Sequence, residues 1–209
     1  MRVYLYADDL QARPRLGTSP QAVRQVLAHV FQASAATALV VACYFPNNAV
    51  WGGKVCGGVA TPATFQQHGG DHWAIVERWR PPADLPPRFR LVRLWAGADL
   101  RYPYTDADQY GWAWTFPSVL AHVATIAAHE AYHLMHWQLP ADLLADEHQA
   151  NDRALRQVWH MGFAVRATLP DDVAPAPIIS RPGPGWSPWR QGGTTRRRER
   201  YAAARRRGR

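Results

Sequence analysis

Cysteine is scarce in this chain and lysine scarcer: the 209 residues include two cysteines, Cys43 and Cys56, one lysine and four glutamates. Two cysteines make no disulfide framework at this length, and both fall in or beside expected strands, so they read as buried thiols. Long apolar runs are also lacking. The longest, Ala33 to Phe45, is too short and too interrupted for the roughly 20 apolar residues of a spanning helix. No signal peptide is expected either, because Asp8 and Asp9 stand where its apolar core would lie. A cytoplasmic protein without membrane partners is the resulting expectation. No internal repeat is present.

Excess charge is absent from most of the chain. The net charge of +8 has one source: residues 181–209 hold ten of the 24 basic residues and one of the 16 acidic ones. The other 180 residues therefore carry 14 basic and 15 acidic groups and are close to neutral. Proline and glycine in PGPGWSPWRQGG precede the arginines, which reads as a disordered basic arm following a domain of residues 1–180. Arg196, Arg197, Arg198, Arg205, Arg206 and Arg207 are its candidate contacts to nucleic-acid phosphates. Trp186 and Trp189 are candidate anchors for the arm.

A hydrophobic fraction of 47% and ten tryptophans indicate a folded domain with one core. RVYLYA at residues 2–7 alternates as a half-buried strand does. Ser19 and Pro20 read as N-cap and first helical residue, and Val23, Val26, Leu27, Val30 and Phe31 form an apolar stripe, giving a helix over residues 20–33. ALVVACYF, KVCGGVAT, HWAIVERW and FRLVRLWAG read as further strands, with PNNAVWGG between the first two as a turn. From Pro117 the pattern becomes alanine-rich and free of glycine, which predicts a long helix through Trp137. A second begins at Pro140 after a corner at residues 138–139 and runs to Trp159. Trp112 and Trp114 are expected in the core or in a lid.

The first long helix carries HEAYH. His129 and His133, four apart, project from one face at a spacing suited to a single metal, and Glu130 stands beside the position of a metal-bound water as a general base. With nine histidines and four glutamates, chance yields such a pattern somewhere in the chain with a probability of only about 0.007.

A catalytic zinc needs a third protein ligand and an open position. His136, Asp142, Asp146, Glu147, His148 and Asp152 are the candidates. His136 shares the face of His129 and His133, but three ligands on one straight helix line up along its axis instead of converging. In the second helix, Leu143, Leu144, Ala150, Ala154, Leu155 and Val158 define a stripe that passes through Glu147, turning it inward, where a cation stabilises a carboxylate. The three aspartates fall nearer the flanks. Asn151, one turn beyond Glu147, is placed to accept the Nδ1 proton of a ligand histidine; a surface asparagine is the alternative.

HEAYH followed fourteen residues after His133 by EHQANDRAL resembles the gluzincin zinc metallopeptidases, whose HExxH helix is followed by one bearing E-x-x-A-[D/N]. The nearest likeness is to minimal intracellular members of the ImmA/IrrE-like kind and to small phage- and plasmid-borne metallopeptidases, and it covers residues 112–160. The resemblance implies zinc held by His129, His133 and Glu147, Glu130 as catalytic base, and Asn151 as the residue holding a ligand histidine. Asn151 departs from the common aspartate there, and Tyr132 from a common small residue. A metzincin arrangement fails, because the position of its third histidine is Leu139. The resemblance also implies an α+β, zincin-like fold: a small, twisted, mostly antiparallel sheet packed on the HExxH helix. An edge strand over the cleft would pair with an extended protein or peptide substrate. FRLVRLWAG is the candidate edge. His136, His148, His160 and Tyr110 are candidate cleft residues for stabilising an oxyanion.

The expected function is zinc-dependent endopeptidase. The alternative is a non-enzymatic module that presents the basic arm to nucleic acid.

Overall fold

The computed structural model describes residues 2–5, 16–32, 38–46, 49–63, 83–108, 110–136 and 143–168. HWAIVERW, the corner at 138–139 and the arm at 181–209 lie outside them. The described residues form an α+β structure. Its larger sheet has the order β1-β2-β4-β3, from β1 (Arg2–Leu5), β2 (Leu39–Tyr44), β3 (Trp51–Ala60) and β4 (Phe89–Ala96). A smaller sheet has the order β5-β6-β7, from β5 (Tyr104–Ala107), β6 (Ala113–Phe116) and β7 (Arg166–Thr168). Three helices accompany them: α1 (Pro20–Val30), α2 (Val119–His136) and α3 (Leu143–His160). None of them is long and apolar enough to cross a membrane.

The expectation of a mostly antiparallel sheet holds for the smaller sheet and fails for the larger. There β1 pairs with β2 and β2 with β4 in parallel, and only β3 runs antiparallel to β4. Parallel neighbours need a crossover, and α1 supplies it between β1 and β2. Its start is as expected: Ser19 Oγ accepts from the Ala22 amide at 3.2 Å, with Pro20 in the first turn. Val23, Leu27 and Val30 are buried against the sheet, and Val26 is only partly so.

β4 is a second correction. FRLVRLWAG is interior, not an edge, since it pairs with β2 on one side and β3 on the other. Arg90 and Arg93 give the segment an alternating, half-solvated look, yet Arg93 is only 2% exposed. Among the described residues the edges of this sheet are β1 and β3.

α2 begins two residues later than its composition suggests. Ser118 Oγ accepts from the Ala121 amide at 3.2 Å and its carbonyl from the His122 amide at 3.0 Å, so Ser118 is the cap and Pro117 precedes it. Burial takes in most of the helix, with Ala127, Ala128 and Ala131 in the core against the large sheet and Ala121 and Ala124 in the one beside the small sheet. Alanine at these positions lets α2 lie close to both layers. α3 packs along it and ends at Gly162 (φ +84°), where the Gly162 amide donates to Trp159 and the Phe163 amide to Val158. That pair of bonds is a Schellman cap, which turns the chain back into β7. Trp112 and Trp114 lie in the core under the small sheet, as expected. Cys43 is a buried free thiol whose pKa burial pushes up to about 12.

His122 lies fully buried among Trp51, Tyr104 and Phe116, with its Nδ1 3.0 Å from the Tyr102 hydroxyl. Nε2 has no hydrogen-bond partner. Desolvation drives its pKa down to about 3. The unfolded chain therefore takes up a proton below about pH 6.5 that the native chain refuses, so His122 lowers stability as pH falls from 6.5 towards 3. His122→Phe is expected to reduce the loss of unfolding free energy between pH 7 and pH 5 by about 2 kcal/mol relative to wild type, measured by urea unfolding. An unchanged pH slope would show that His122 is charged in the native state.

Candidate metal centre

One turn of α2 and one of α3 face each other across a cleft of about 800 Å³, whose other walls are β3 and the turn joining β5 to β6. His129 and His133 stand on α2, Glu147 on α3. His129 Nε2 is 3.0 Å from His133 Nε2 and 3.0 Å from Glu147 Oε2, while His133 Nε2 is 3.4 Å from Glu147 Oε1. Ligand bonds of about 2.0–2.1 Å at tetrahedral angles place donor atoms about 3.3 Å apart. The observed spacings of 3.0–3.4 Å match that figure, so the three residues form a group that could hold a metal ion.

Electrostatics agree with the geometry. Burial alone pushes the His129 imidazolium down, but the hydrogen bond to Glu147 and the charges of Glu130 and Glu147 outweigh it and raise its pKa to about 9. His133 moves in the same direction, burial again being outweighed by Glu147. For Glu147 burial acts upward, and the bonds from the two histidines bring it down to about 2. The raised histidine values report the negative potential of Glu130 and Glu147, and the lowered Glu147 value reports the reciprocal pull of the two imidazoles, so the three groups are mutually paired around one point.

Glu130 is buried next to this group, with its carboxylate accepting from the Val55 amide of β3. Gly53 makes room for it: a β-carbon there would lie 2.5 Å from Glu130 Cγ and 2.6 Å from Oε1. Glycine inside a strand marks close approach of another group, and here that group is the buried carboxylate. Burial, the largest influence, raises the Glu130 pKa, with the charges of His129 and His133 acting against it.

Asn151 Oδ1 is 2.8 Å from His129 Nδ1. Its amide nitrogen donates at 2.8 Å to Asp108 Oδ2, in the turn after β5. That oxygen also accepts from Trp114 Nε1 at 3.0 Å, while Oδ1 accepts from the Tyr110 and Trp112 amides at 2.9 and 3.0 Å. Burial raises the Asp108 pKa, and these four donors oppose the rise.

The other sequence candidates disperse. Tyr110 lines the cleft. The His136 ring bonds the Tyr132 carbonyl at 2.9 Å and stacks on the Tyr132 ring. His148, one residue beyond Glu147 and so rotated by about 100°, accepts from Trp112 Nε1 at 2.7 Å. His160 lies exposed at the far end of α3, thirteen residues or about 20 Å from Glu147, with Nδ1 on the Arg156 carbonyl. None of these three histidines lines the cleft. Asp152 pairs with Arg156 at 2.8 Å, and the side chains of Asp142 and Asp146 lie outside the described residues. Tyr132 of α2 donates to Gln149 of α3 at 2.8 Å, bracing the two helices.

Asp108 and Gly53 escape sequence reasoning. Glycine in an apolar strand was a usable signal for Gly53, though WGG also reads as a turn. For Asp108 only the turn-forming DADQYG was visible, with nothing to indicate a partner on α3. Comparison with known protein families, with curated proteins and with solved structures finds no match to this chain.

Proposed function

We propose that the chain is a zinc-dependent hydrolase of peptide bonds, with His129, His133 and Glu147 as metal ligands and Glu130 as general base. The observation that carries this reading is the convergence of three ligand atoms, 3.0–3.4 Å apart, in the cleft that also holds a buried carboxylate. Two imidazoles and one carboxylate suit zinc among the common cations, and three protein ligands leave the fourth position for water. When bound, zinc supplies Lewis acidity and a water of lowered pKa.

The remaining chemistry belongs to the protein. Glu130 would take the water's proton and return it to the leaving amine, and burial raises its pKa in the direction that favours holding that proton. β3, an edge strand among the described residues, is the one on which an extended peptide would pair, and it carries Gly53 and Val55 beside Glu130 in the cleft wall. Tyr110, on the opposite wall, is the cleft's candidate hydrogen-bond donor to a developing oxyanion. The whole amounts to a zincin-like arrangement of the gluzincin kind, with a cleft of a size for a few residues of extended chain.

Fluorescein-labelled casein offered to the full chain tests the reading. Hydrolysis should stop on treatment with 1,10-phenanthroline and return with one equivalent of zinc. Hydrolysis indifferent to chelation would reject it. Nucleic-acid contact through the basic segment is a separate proposal, carried only by the confinement of the excess charge to residues 181–209.

A further inference from the structure

The residue that orients His129 is an asparagine, and an asparagine is ambiguous. Its oxygen and nitrogen are nearly equivalent in shape, so the side chain fits its place in either of two orientations. With Oδ1 towards His129, the ring must carry its proton on Nδ1, leaving the Nε2 lone pair for a cation. With Nδ2 towards His129, the ring must accept at Nδ1, which puts the proton on Nε2 and blocks ligation. Asn151 alone supplies no preference between these states.

Asp108 supplies it. Both Asp108 oxygens accept from fixed N–H donors, Oδ1 from two backbone amides and Oδ2 from the Trp114 indole, so the Asn151 group facing Oδ2 at 2.8 Å is the NH2 group. The oxygen then faces His129 Nδ1, at 2.8 Å. Three further donors fix Asp108 itself: the Trp114 indole on Oδ2, and the amides of Tyr110 and Trp112 on Oδ1. The order of donors is thereby defined from a backbone turn to a metal ligand. A carboxylate that accepts directly from a ligand histidine provides orientation and negative charge together; here the amide gives orientation and the charge sits one bond further out.

We propose that Asp108 is a positioning residue of the metal centre: its carboxylate, acting through the Asn151 amide, presents His129 Nε2 to the cation. The assignment rests on the metal reading above. It also ties the centre to the cleft wall, because the turn that holds Asp108 carries Tyr110.

Zinc affinity of the full chain, measured by competition with a chromophoric chelator, tests the proposal. Asp108→Asn should weaken binding about 10–100-fold, the range for losing a partner of a ligand histidine. In Asp108→Asn/Asn151→Asp the order is exchanged: the amide now at position 108 donates to the carboxylate now at position 151, which accepts from His129. That double variant should bind zinc more tightly than the single one, though short of wild type because the NH2 now at position 108 also faces the Trp114 indole N–H, and general damage to the turn would not produce this coupling. A folded Asp108→Asn chain that binds zinc as wild type does, or a double variant no better than the single one, would overturn the proposal. Should Asp108→Asn fail to fold, the Asn151 carboxamide of the wild-type chain decides by NMR. Its NH2 protons should show Overhauser contacts to the Trp114 indole N–H, which shares Asp108 Oδ2, and none to the His129 ring proton. The opposite orientation would overturn the proposal. Because this second readout needs no metal, it separates failure of the relay from failure of zinc binding.

Discussion

Glu130→Gln is expected to lower casein hydrolysis by about 10²–10⁴-fold, the contribution of a positioned general base, and to leave zinc binding intact. Glutamine keeps the shape that fits beside Gly53 and keeps an oxygen to accept from the Val55 amide. What it loses is the capacity to take up a proton. Because the proton moves only as the reaction proceeds, the loss should fall on kcat, with KM changing little. Burial with one backbone amide as its hydrogen-bond donor makes Glu130 an expensive residue to keep for structure alone. A fall in hydrolysis of less than about tenfold would leave no place for a general base here.

Glu147→Ala should act on the metal instead. It removes a ligand, so its effect on zinc affinity should exceed the roughly 10–100-fold typical of outer partners such as Asn151. Thermal unfolding gives the readout. At free zinc about 1,000 times the wild-type Kd, binding stabilises the folded chain by about 4 kcal/mol. At roughly 2–4 °C per kcal/mol for a chain of this size, that raises Tm by about 8–16 °C. A variant bound 100-fold more weakly keeps only about 1.4 kcal/mol of it, a shift of about 3–6 °C. The side chain is about one-sixth exposed, so its truncation leaves no large cavity. Equal zinc-induced shifts in variant and wild type would remove Glu147 from the ligand set.

The two chemical helices were legible because helical periodicity is local. Four-residue spacing puts His129 over His133, and the apolar phase of Ala150, Ala154, Leu155 and Val158, all buried, turns Glu147 and Asn151 to the same side. Ser19 and Pro20 mark the start of α1 for the same reason. Strand partnership is not local. Nothing within FRLVRLWA distinguishes an interior strand from an edge when its two arginines imitate a solvated face, and Arg93 is buried by its neighbours in the sheet. The parallel pairings of β2 depend on where crossovers close. β5, β6 and β7 are strands of three or four residues, too short for an alternation to register against surrounding turns. Asp108 lies 43 residues from Asn151, a separation at which a hydrogen-bond partner is set by the assembled fold.

The metal content of the full chain, purified without added zinc and dialysed against a weak chelator, is the most direct test of the account. Wild type should retain about one zinc per chain, and Glu147→Ala and His133→Ala should each retain close to none. Wild type carrying no stoichiometric metal, or variants carrying as much as wild type, would contradict it.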